Sequence, residues 1–300
     1  MSEQSKQGLF VGLTTLDLIY QVPQVPQANQ KLVAQASLIA AGGPATNAAI
    51  AFQALGNTAC LVSRLGLHAL AALLKQDLQQ WQIQLLDLMP QSAQMPPVSS
   101  ILVTAATGDR AVISRNAVSL QVEARHLLPL PSADIVLIDG HQMAVSQAIA
   151  QQAQRQQIPV VIDGGSWKPG FERVLPYATY VICSENFRPP DCHTTTDVVA
   201  YLRELGLAKV AITHGDRPIE FWQDSTQGSL AVPSVSVVDT LGAGDIFHGA
   251  FCHWILQPQI SFSQALKQAA QVAAFCCQFW GTREGLIRLQ QTGGQSLKFE

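Results

Sequence analysis

The stretch VVDTLGAGDIFHGAF, residues 237–251, decides how the rest of the chain is interpreted. Three small residues, Gly242, Ala243 and Gly244, let the backbone turn sharply and approach a ligand closely. The apolar residues that follow recur at helical spacing, so a helix is predicted to begin at this turn. The free N–H groups of its first turn and the positive end of its dipole favour a bound anion, and we expect a phosphate.

Asp245 follows this turn directly and has two interpretations. A carboxylate beside a bound anion repels it unless the carboxylate has a chemical role, and accepting a proton from an attacking hydroxyl is such a role. For the turn taken alone, the simpler interpretation is an acid that complements the positive end of the helix dipole. The choice between the two therefore depends on the rest of the chain.

Short apolar runs alternate with segments of helical periodicity over most of the chain, which predicts parallel strands joined by helices. Several runs lack polar alternation, as expected for strands that are covered on both faces. We predict strands at residues 8–13, 59–63, 134–139, 159–163, 179–183 and 209–213. One helix is predicted to be capped by Thr196 and to end at Gly206, and another to run from Ser261 to Trp280.

Two stretches, residues 15–40 and 97–117, interrupt this alternation. The second contains SSILVTA and RAVISRNA on either side of Thr107, Gly108 and Asp109, a pattern typical of a β-hairpin. Such excursions from an α/β core usually cover its active edge. We therefore predict a three-layer α/β fold over a single domain of residues 1–300: a Rossmann-like, mostly parallel sheet flanked by helices, with a small β-sheet lid.

The composition of the 300-residue chain limits its partners. Its 18 Lys and Arg residues face 21 Asp and Glu residues, and no basic block is dense enough to neutralise a run of phosphates, so nucleic acid is not an expected partner. No apolar run reaches the roughly 18 residues that a membrane span requires, and the first residues show no signal-peptide cleavage pattern. We therefore do not expect the protein to bind a membrane. The six cysteines include no C-x-x-C pair, and we expect a reduced, cytoplasmic protein.

Two segments resemble the signatures of one enzyme family. DTLGAGD, residues 239–245, with Phe247 and Gly249 after it, resembles the C-terminal signature of the ribokinase-like (phosphofructokinase B) carbohydrate kinases. AGGPATNAAIAFQALG, residues 41–56, resembles their N-terminal signature. The resemblance extends over residues 8–286 and implies a ribokinase-like fold and transfer of the γ-phosphoryl of ATP to a hydroxyl of a monosaccharide. It also favours Asp245 as the general base.

The resemblance implies roles for further residues. Four match the sugar-binding positions: Asp17, Gly42, Gly43 and Asn47. An ordinary Asx turn at Asp17 and a helix cap at Asn47 are the alternatives that stay open. The catalytic turn that accompanies Asp245 comprises Gly242, Ala243 and Gly244. The positions implied for ATP binding are Thr213, Gly215, Thr240, Gly242, Gly244 and Gly281, the last in a segment that lies near a monovalent cation in many members.

The chain departs from the family where magnesium is usually organised. Ser184 and Phe187 replace the two polar ends of an Asn-x-x-Glu pattern, and Glu185 is the one carboxylate left in this segment. We expect ATP and Mg²⁺ as cofactors, with Glu185 holding the ion through water, and K⁺ and a homodimer are further expectations. A solvated surface glutamate is the alternative for Glu185, since glutamate is mostly exposed.

Two other functions stay open. One is a nucleoside kinase of the same family, because a nucleoside also presents a ribose. The other is a sugar- or nucleotide-binding regulator that has lost turnover; the intact Asp245 argues against it, and the altered magnesium segment mildly favours it. A P-loop kinase is excluded because no G-x-x-x-x-G-K-[ST] motif exists.

Overall fold

A computed structural model of the protein describes residues 5–115, 121–124 and 131–291. The strands are β1 (Gln7–Val11), β2 (Thr15–Val22), β3 (Ala36–Gly42), β4 (Thr58–Ser63), β5 (Gln84–Asp87), β6 (Val98–Thr104), β7 (Arg110–Arg115), β8 (Ile135–Ile138), β9 (Val160–Gly164), β10 (Tyr180–Ser184), β11 (Lys209–His214), β12 (Arg217–Gln223) and β13 (Thr226–Leu230). The helices are α1 (Pro44–Ala54), α2 (Ala69–Gln80), α3 (Met143–Arg155), α4 (Phe171–Val174), α5 (Thr195–Glu204), α6 (Ala243–Ile255), α7 (Phe262–Cys276) and α8 (Glu284–Gln291).

The larger sheet has nine strands in the order β13-β12-β11-β10-β9-β8-β1-β4-β5. The neighbours from β11 to β5 are parallel, whereas β12 runs antiparallel to both of its neighbours, β11 and β13. Alternate strand residues point to opposite faces: Phe10 packs with α1, α2, α6, α7 and α8, whereas Leu9 packs with α3, α4 and α5. This three-layer arrangement confirms the predicted fold class, and each of the six predicted strands is found with its ends shifted by at most two residues.

The smaller sheet has the order β3-β2-β6-β7 and is built from the two stretches that interrupt the α/β alternation. Its inner face buries Ile19, Ile101 and Val103 against Leu241 and Trp280. The predicted hairpin is present as β6 and β7, although its last two predicted residues, 116 and 117, lie outside the described residues. On the outer face of this sheet, Tyr20, Ile39 and Ile113 are exposed.

Two predicted helix ends were wrong. The helix after β10 is capped by Thr194 instead of Thr196, because the Thr194 hydroxyl and the Asp197 carboxylate each accept a hydrogen bond from the other's backbone N–H. The last predicted helix begins after Ser261 as expected but ends at Cys276, four residues before Trp280. The carbonyl of the C-cap residue Cys277 accepts hydrogen bonds from the N–H groups of residues 238 and 239, and the chain continues in tighter i→i−3 turns.

Three strands of the larger sheet were not predicted. β5 has four residues, none of them fully buried, and β13 reads TQGSL, so neither carries the apolar run of a covered strand. β12, which lies between β11 and the edge strand β13, has residues that are mostly exposed or half-buried. Among the helices of the described residues, none combines the length and the apolar character needed to cross a bilayer.

Candidate active site

The glycine turn leads into α6 as predicted. Gly242 is the N-cap residue, with φ of 73°, a left-handed conformation that favours glycine. The N–H groups of Gly244 and Asp245 lie in the first turn and have no intrahelical acceptor. The N–H of Ala243 donates to the Thr240 carbonyl at 3.2 Å and is therefore engaged already. The turn thus offers two backbone donors and the positive end of a 13-residue helix.

Asp239 holds this turn in place. Its Oδ1 accepts a hydrogen bond from the N–H of Leu241 at 2.9 Å, and its Oδ2 accepts one from the N–H of Gly281 at 2.9 Å. The carboxylate thereby ties the segment before α8 to the segment before α6. A side chain at Gly242 would place its Cβ 3.0 Å from Cγ2 of Thr282, so the two segments also pack closely.

Asn47 and Asp245 join the two family signatures by a direct hydrogen bond. Nδ2 of Asn47 donates to Oδ2 of Asp245 at 2.8 Å, across 198 residues of sequence. Asn47 is buried in α1, whose N-cap is Gly43, so its side chain does not cap that helix. The alternative of a helix cap at Asn47 is therefore wrong.

Asp17 lies inside β2 of the smaller sheet, not in a loop or an Asx turn at the end of the first strand. The reason is that the chain leaves β1 at Val11 and begins a new strand at Thr15, which pairs with β3 and β6. Asp17 is 6% exposed, and within the described residues its Oδ1 has no hydrogen-bond partner. A buried carboxylate oxygen without a donor fits a site that receives a hydroxyl group from a ligand.

The paired glycines allow the backbone to reach this carboxylate. A Cβ at Gly42 would lie 1.8 Å from Oδ2 of Asp17, which no side chain can tolerate. Gly43 has φ of 100°, and its Cβ would lie 2.4 Å from the Leu13 carbonyl. We call Asp17, Gly42, Asn47 and Asp245 the acceptor cluster.

The two carboxylates of the acceptor cluster have raised pKa values. Burial raises the pKa of Asp17 to about 7, and the negative charge of Asp245 adds to the shift, while Ser99, Arg283 and Thr15 oppose it. Desolvation likewise raises the pKa of Asp245 to about 7, with a contribution from Asp163, whereas the Asn47 hydrogen bond opposes it. Near neutral pH each of these groups can therefore exchange a proton with a ligand.

A layer of buried charged residues under the turn was not predicted. Oδ2 of Asp139 accepts hydrogen bonds from the N–H groups of Leu13 and Ala45 at 2.8 and 3.1 Å. Burial alone would raise the pKa of Asp139, but His141, the N–H of Leu13 and the charge of Lys168 lower it to about 2. Asp163 lies 3.6 Å from Nδ1 of His248.

The sequence carried a signal for these carboxylates. The tripeptide Ile-Asp-Gly occurs at residues 138–140 and again at 162–164, each time at the end of an apolar run. Polar residues at the carboxyl ends of parallel strands belong to the ligand edge of an open sheet. The structure places both aspartates at that edge.

Thr213, Gly215 and Glu185 form a second group at the ends of β10 and β11, which we call the edge cluster. The N–H of Glu185 donates to the Thr213 carbonyl at 3.0 Å. Gly215, with φ of 71°, makes the turn from β11 to β12. Oε2 of Glu185 accepts a hydrogen bond from Arg217 and lies 3.5 Å from Nδ1 of His214. These contacts lower the pKa of Glu185, Arg217 most of all.

The residues around Glu185 fit a magnesium ion only through water. Both contacts of the carboxylate use Oε2, so Oε1 can accept from a metal-bound water. Ser184 Oγ donates to the Gly165 carbonyl at 2.7 Å, and Phe187 is buried. Across the described ranges, no three His, Cys, Asp or Glu residues are grouped closely enough to ligate an ion directly. Such a donor set suits Mg²⁺, which usually keeps several waters.

The remaining predicted ATP positions lie near the turn. Both the carbonyl and Oγ1 of Thr240 accept from Nη1 of Arg110, at 3.0 and 3.2 Å, so β7 of the smaller sheet is connected to the turn. Gly281, with φ of 76°, is held beside the turn by the hydrogen bond from its N–H to Asp239. Arg283, two residues further along the chain, was not predicted, because an arginine directly before a helix has no distinctive pattern.

Comparison with known proteins identifies the chain. The sequence pattern of the pfkB family of carbohydrate kinases matches residues 6–288. The chain belongs to this family. The predicted resemblance and the predicted enzyme class, an ATP-dependent carbohydrate kinase, are thus confirmed, and members of this family act on sugars or nucleosides.

Relatives of the pfkB-family chain align over nearly its whole length. Ribokinase of Lactococcus lactis is 21% identical over 97% of this chain and 97% of its own. The crystal structure of a putative ribokinase from Agrobacterium tumefaciens has a TM-score of 0.83 at 23% identity and covers 99% of this chain and 100% of its own. Arabidopsis thaliana ribokinase complexed with ribose and ATP has a TM-score of 0.72 at 19% identity, with 96% and 99% covered. These structures support the fold.

Proposed function

We propose that this chain transfers the γ-phosphoryl of ATP to a hydroxyl of a monosaccharide, with Asp245 as the general base. One observation carries the proposal: Asp245 lies in the first turn of α6, where it accepts a hydrogen bond from Asn47 and interacts electrostatically with the buried Asp17, whose Oδ1 has no partner among the described residues. A base, a phosphate-binding turn and a receptor for hydroxyl groups are the parts that phosphoryl transfer to an alcohol requires.

The acceptor cluster holds the sugar. Oδ1 of Asp17 accepts a hydrogen bond from one substrate hydroxyl, and Gly42 and Gly43 let the sugar ring lie against the backbone. Asn47 uses one amide hydrogen for Asp245 and keeps the other for the substrate. The acceptor hydroxyl lies against Asp245.

The chemical step moves one proton and one phosphoryl group. The acceptor oxygen forms a bond to the γ-phosphorus as the bond from that phosphorus to the bridging oxygen breaks. The electron pair of the broken bond leaves with ADP, and the hydroxyl proton passes to Asp245. The N–H groups of Gly244 and Asp245 donate to the charge that develops on the transferred phosphoryl.

The nucleotide is proposed to bind along Thr240, Gly242, Gly244 and Gly281, with Thr213 and Gly215 at the edge of its site. Mg²⁺ would neutralise charge on the β- and γ-phosphates, and Glu185 would hold it through water at Oε1. The smaller sheet would act as the lid of a single kinase domain and exclude water. A requirement for K⁺, a homodimer and a cytoplasmic location stay predictions. Size-exclusion chromatography tests the homodimer.

The proposal is tested by measuring ATP consumption against a panel of ketoses, aldoses and nucleosides, with Asp245→Asn as the negative control. Turnover of a monosaccharide that the variant lacks supports it. Turnover of nucleosides and of no monosaccharide would mean that the substrate is a nucleoside. Saturable binding of a sugar without turnover under any condition would mean a regulator and overturn the proposal.

A further inference from the structure

Arg283 is a buried cation at the meeting point of the segments that form the site, and it is only 7% exposed. Its Nη1 donates to Oδ1 of Asn47 at 3.0 Å and to Oγ1 of Thr282 at 2.9 Å. Its Nη2 donates to the carbonyl of Ala41 and lies 3.4 Å from Oδ2 of Asp77. A single side chain thus contacts α1, α2, β3 and the segment before α8.

These contacts fix which way the amide of Asn47 points. A guanidinium group only donates hydrogen bonds, so the atom of Asn47 that faces Arg283 must be the oxygen. The amide nitrogen then faces Asp245, to which it donates at 2.8 Å. With Arg283 absent, the amide could rotate and present its oxygen to the carboxylate, which would repel it.

Arg283 also belongs to the nucleotide side of the site. Its segment is tied to the phosphate-binding turn, because the N–H of Gly281 donates to Asp239 and Thr282 packs on Gly242. The arginine therefore joins this turn to the residues that hold the acceptor.

We infer that Arg283 is a positioning residue: it fixes the amide of Asn47 so that Nδ2 donates to Asp245, and it thereby holds the Asp245 carboxylate toward the acceptor hydroxyl. Arg283 itself does not contact the reacting atoms. The inference rests on the proposed role of Asp245 as the general base.

Charges from several elements act on Asp245, and the experiment has to be interpreted against all of them. Asp163 from β9 and Asp139 after β8 raise the pKa of Asp245, whereas His248 on its own helix lowers it. Asp17 from β2 and Asp245 repel each other. Arg283, which faces Asp77 from α2, is attracted by both Asp17 and Asp245. Loss of the arginine removes a positive charge and releases the amide donor, and both changes raise the pKa of Asp245.

The test compares Arg283→Gln with Arg288→Gln, an arginine of α8 whose Nε bonds Glu284 at 2.8 Å and whose side chain is about half exposed. Two titrations are measured: kcat against pH, and the ¹³C carboxyl signal of Asp245 in the ligand-free protein, assigned by its loss in Asp245→Asn. We expect both midpoints to rise by roughly 0.5 to 1 pH unit in Arg283→Gln and to be unchanged in Arg288→Gln. The KM values for sugar and ATP should change less than about threefold.

A loss of activity in Arg283→Gln at every pH without a shift of either midpoint would overturn the inference, because it would mean a packing role only. If this variant fails to fold, Arg283→Lys replaces it, since lysine keeps the charge but cannot donate to Asn47 and Asp77 together. The midpoints should again rise, by less, and unchanged midpoints would overturn the inference.

A double substitution tests whether the arginine acts through Asn47. In an Asn47→Ala background, Arg283→Gln should lower kcat by less than about a further twofold, because the amide that it orients is gone. If Arg283→Gln lowers kcat by the same factor with and without Asn47, the two residues act independently and the inference is overturned. The NMR titration needs no turnover, so a wild-type protein without kinase activity would refute the proposed function while this measurement still reports on Arg283.

Discussion

Asp17 and Glu185 are the carboxylates predicted for opposite sides of the site, and they differ in their surroundings. Asp17 is 6% exposed and has an oxygen without a partner, whereas the side chain of Glu185 is 43% exposed and is paired with Arg217. In the acceptor cluster, charges interact with little screening by water; in the edge cluster, solvent and salt weaken them. Substitutions in the acceptor cluster should therefore have much larger effects than substitutions in the edge cluster.

The largest effect is expected for Asp245→Asn. We predict that kcat falls by at least about a thousandfold while sugar and ATP still bind, because the proton acceptor is lost and the ground-state contacts remain. Steady-state kinetics and calorimetric binding measure the two quantities. The matched control is Asp224→Asn, in the exposed turn between β12 and β13, which should leave kcat unchanged. Near-normal turnover of Asp245→Asn would refute the mechanism.

The pH dependence should show two protons. Asp17 and Asp245 both have pKa values of about 7 in the free protein, and the proposed mechanism needs both as carboxylates, so we expect kcat/KM to fall as the pH drops through 7. From pH 8 to pH 6 we expect a fall of about a hundredfold, compared with about tenfold for a single group. In Asp17→Asn, the fall of kcat/KM at acidic pH should follow the uptake of one proton only. If the fall of kcat/KM in the wild type follows the uptake of one proton only, one of the two carboxylates is not required in its ionised form.

Asp17→Ala should raise the KM for the sugar by roughly 10- to 100-fold, since a hydrogen bond to a charged acceptor contributes about 1.5 to 3 kcal/mol. The KM for ATP should change by less than about threefold, because Asp17 lies in β2 of the smaller sheet and is not among the residues proposed to bind the nucleotide. Initial rates with each substrate varied in turn separate the two constants. An equal rise of both would assign Asp17 to the support of the fold.

The smallest effect is expected for Glu185→Gln. The magnesium concentration for half-maximal rate should rise by about two- to fivefold, with little change in the KM for the sugar, because one water-mediated contact is weakened. The control is Glu204→Gln at the exposed end of α5. A magnesium titration that superimposes on the wild type would assign Glu185 to the surface ion cluster with Arg217 and His214.

Sequence reasoning found what is encoded by neighbouring residues. The buried runs predicted the central strands, and Asn47 and Asp245 were found because each lies in a continuous signature. It failed where residues distant in the sequence determine the local structure. The end of α7 depends on hydrogen-bond donors from residues 238 and 239, and Asp17 lies in a strand because β2 pairs with β3 and β6. Arg283 is 236 residues from the asparagine that it contacts, so no local pattern marks it.

The raised pKa values of the acceptor cluster also affect the stability of the fold. In the unfolded chain both carboxyls titrate near 3.8, so between that pH and about 7 the folded chain binds up to two more protons than the unfolded chain. Their contribution to the free energy of unfolding is full below pH 3.8 and is lost as the pH rises through 7. In the proposed mechanism, the protons that stabilise the ligand-free fold are the ones that must leave before turnover. Between pH 3.8 and 7, a rise in pH should therefore increase activity while it lowers the contribution of these two carboxyls to stability.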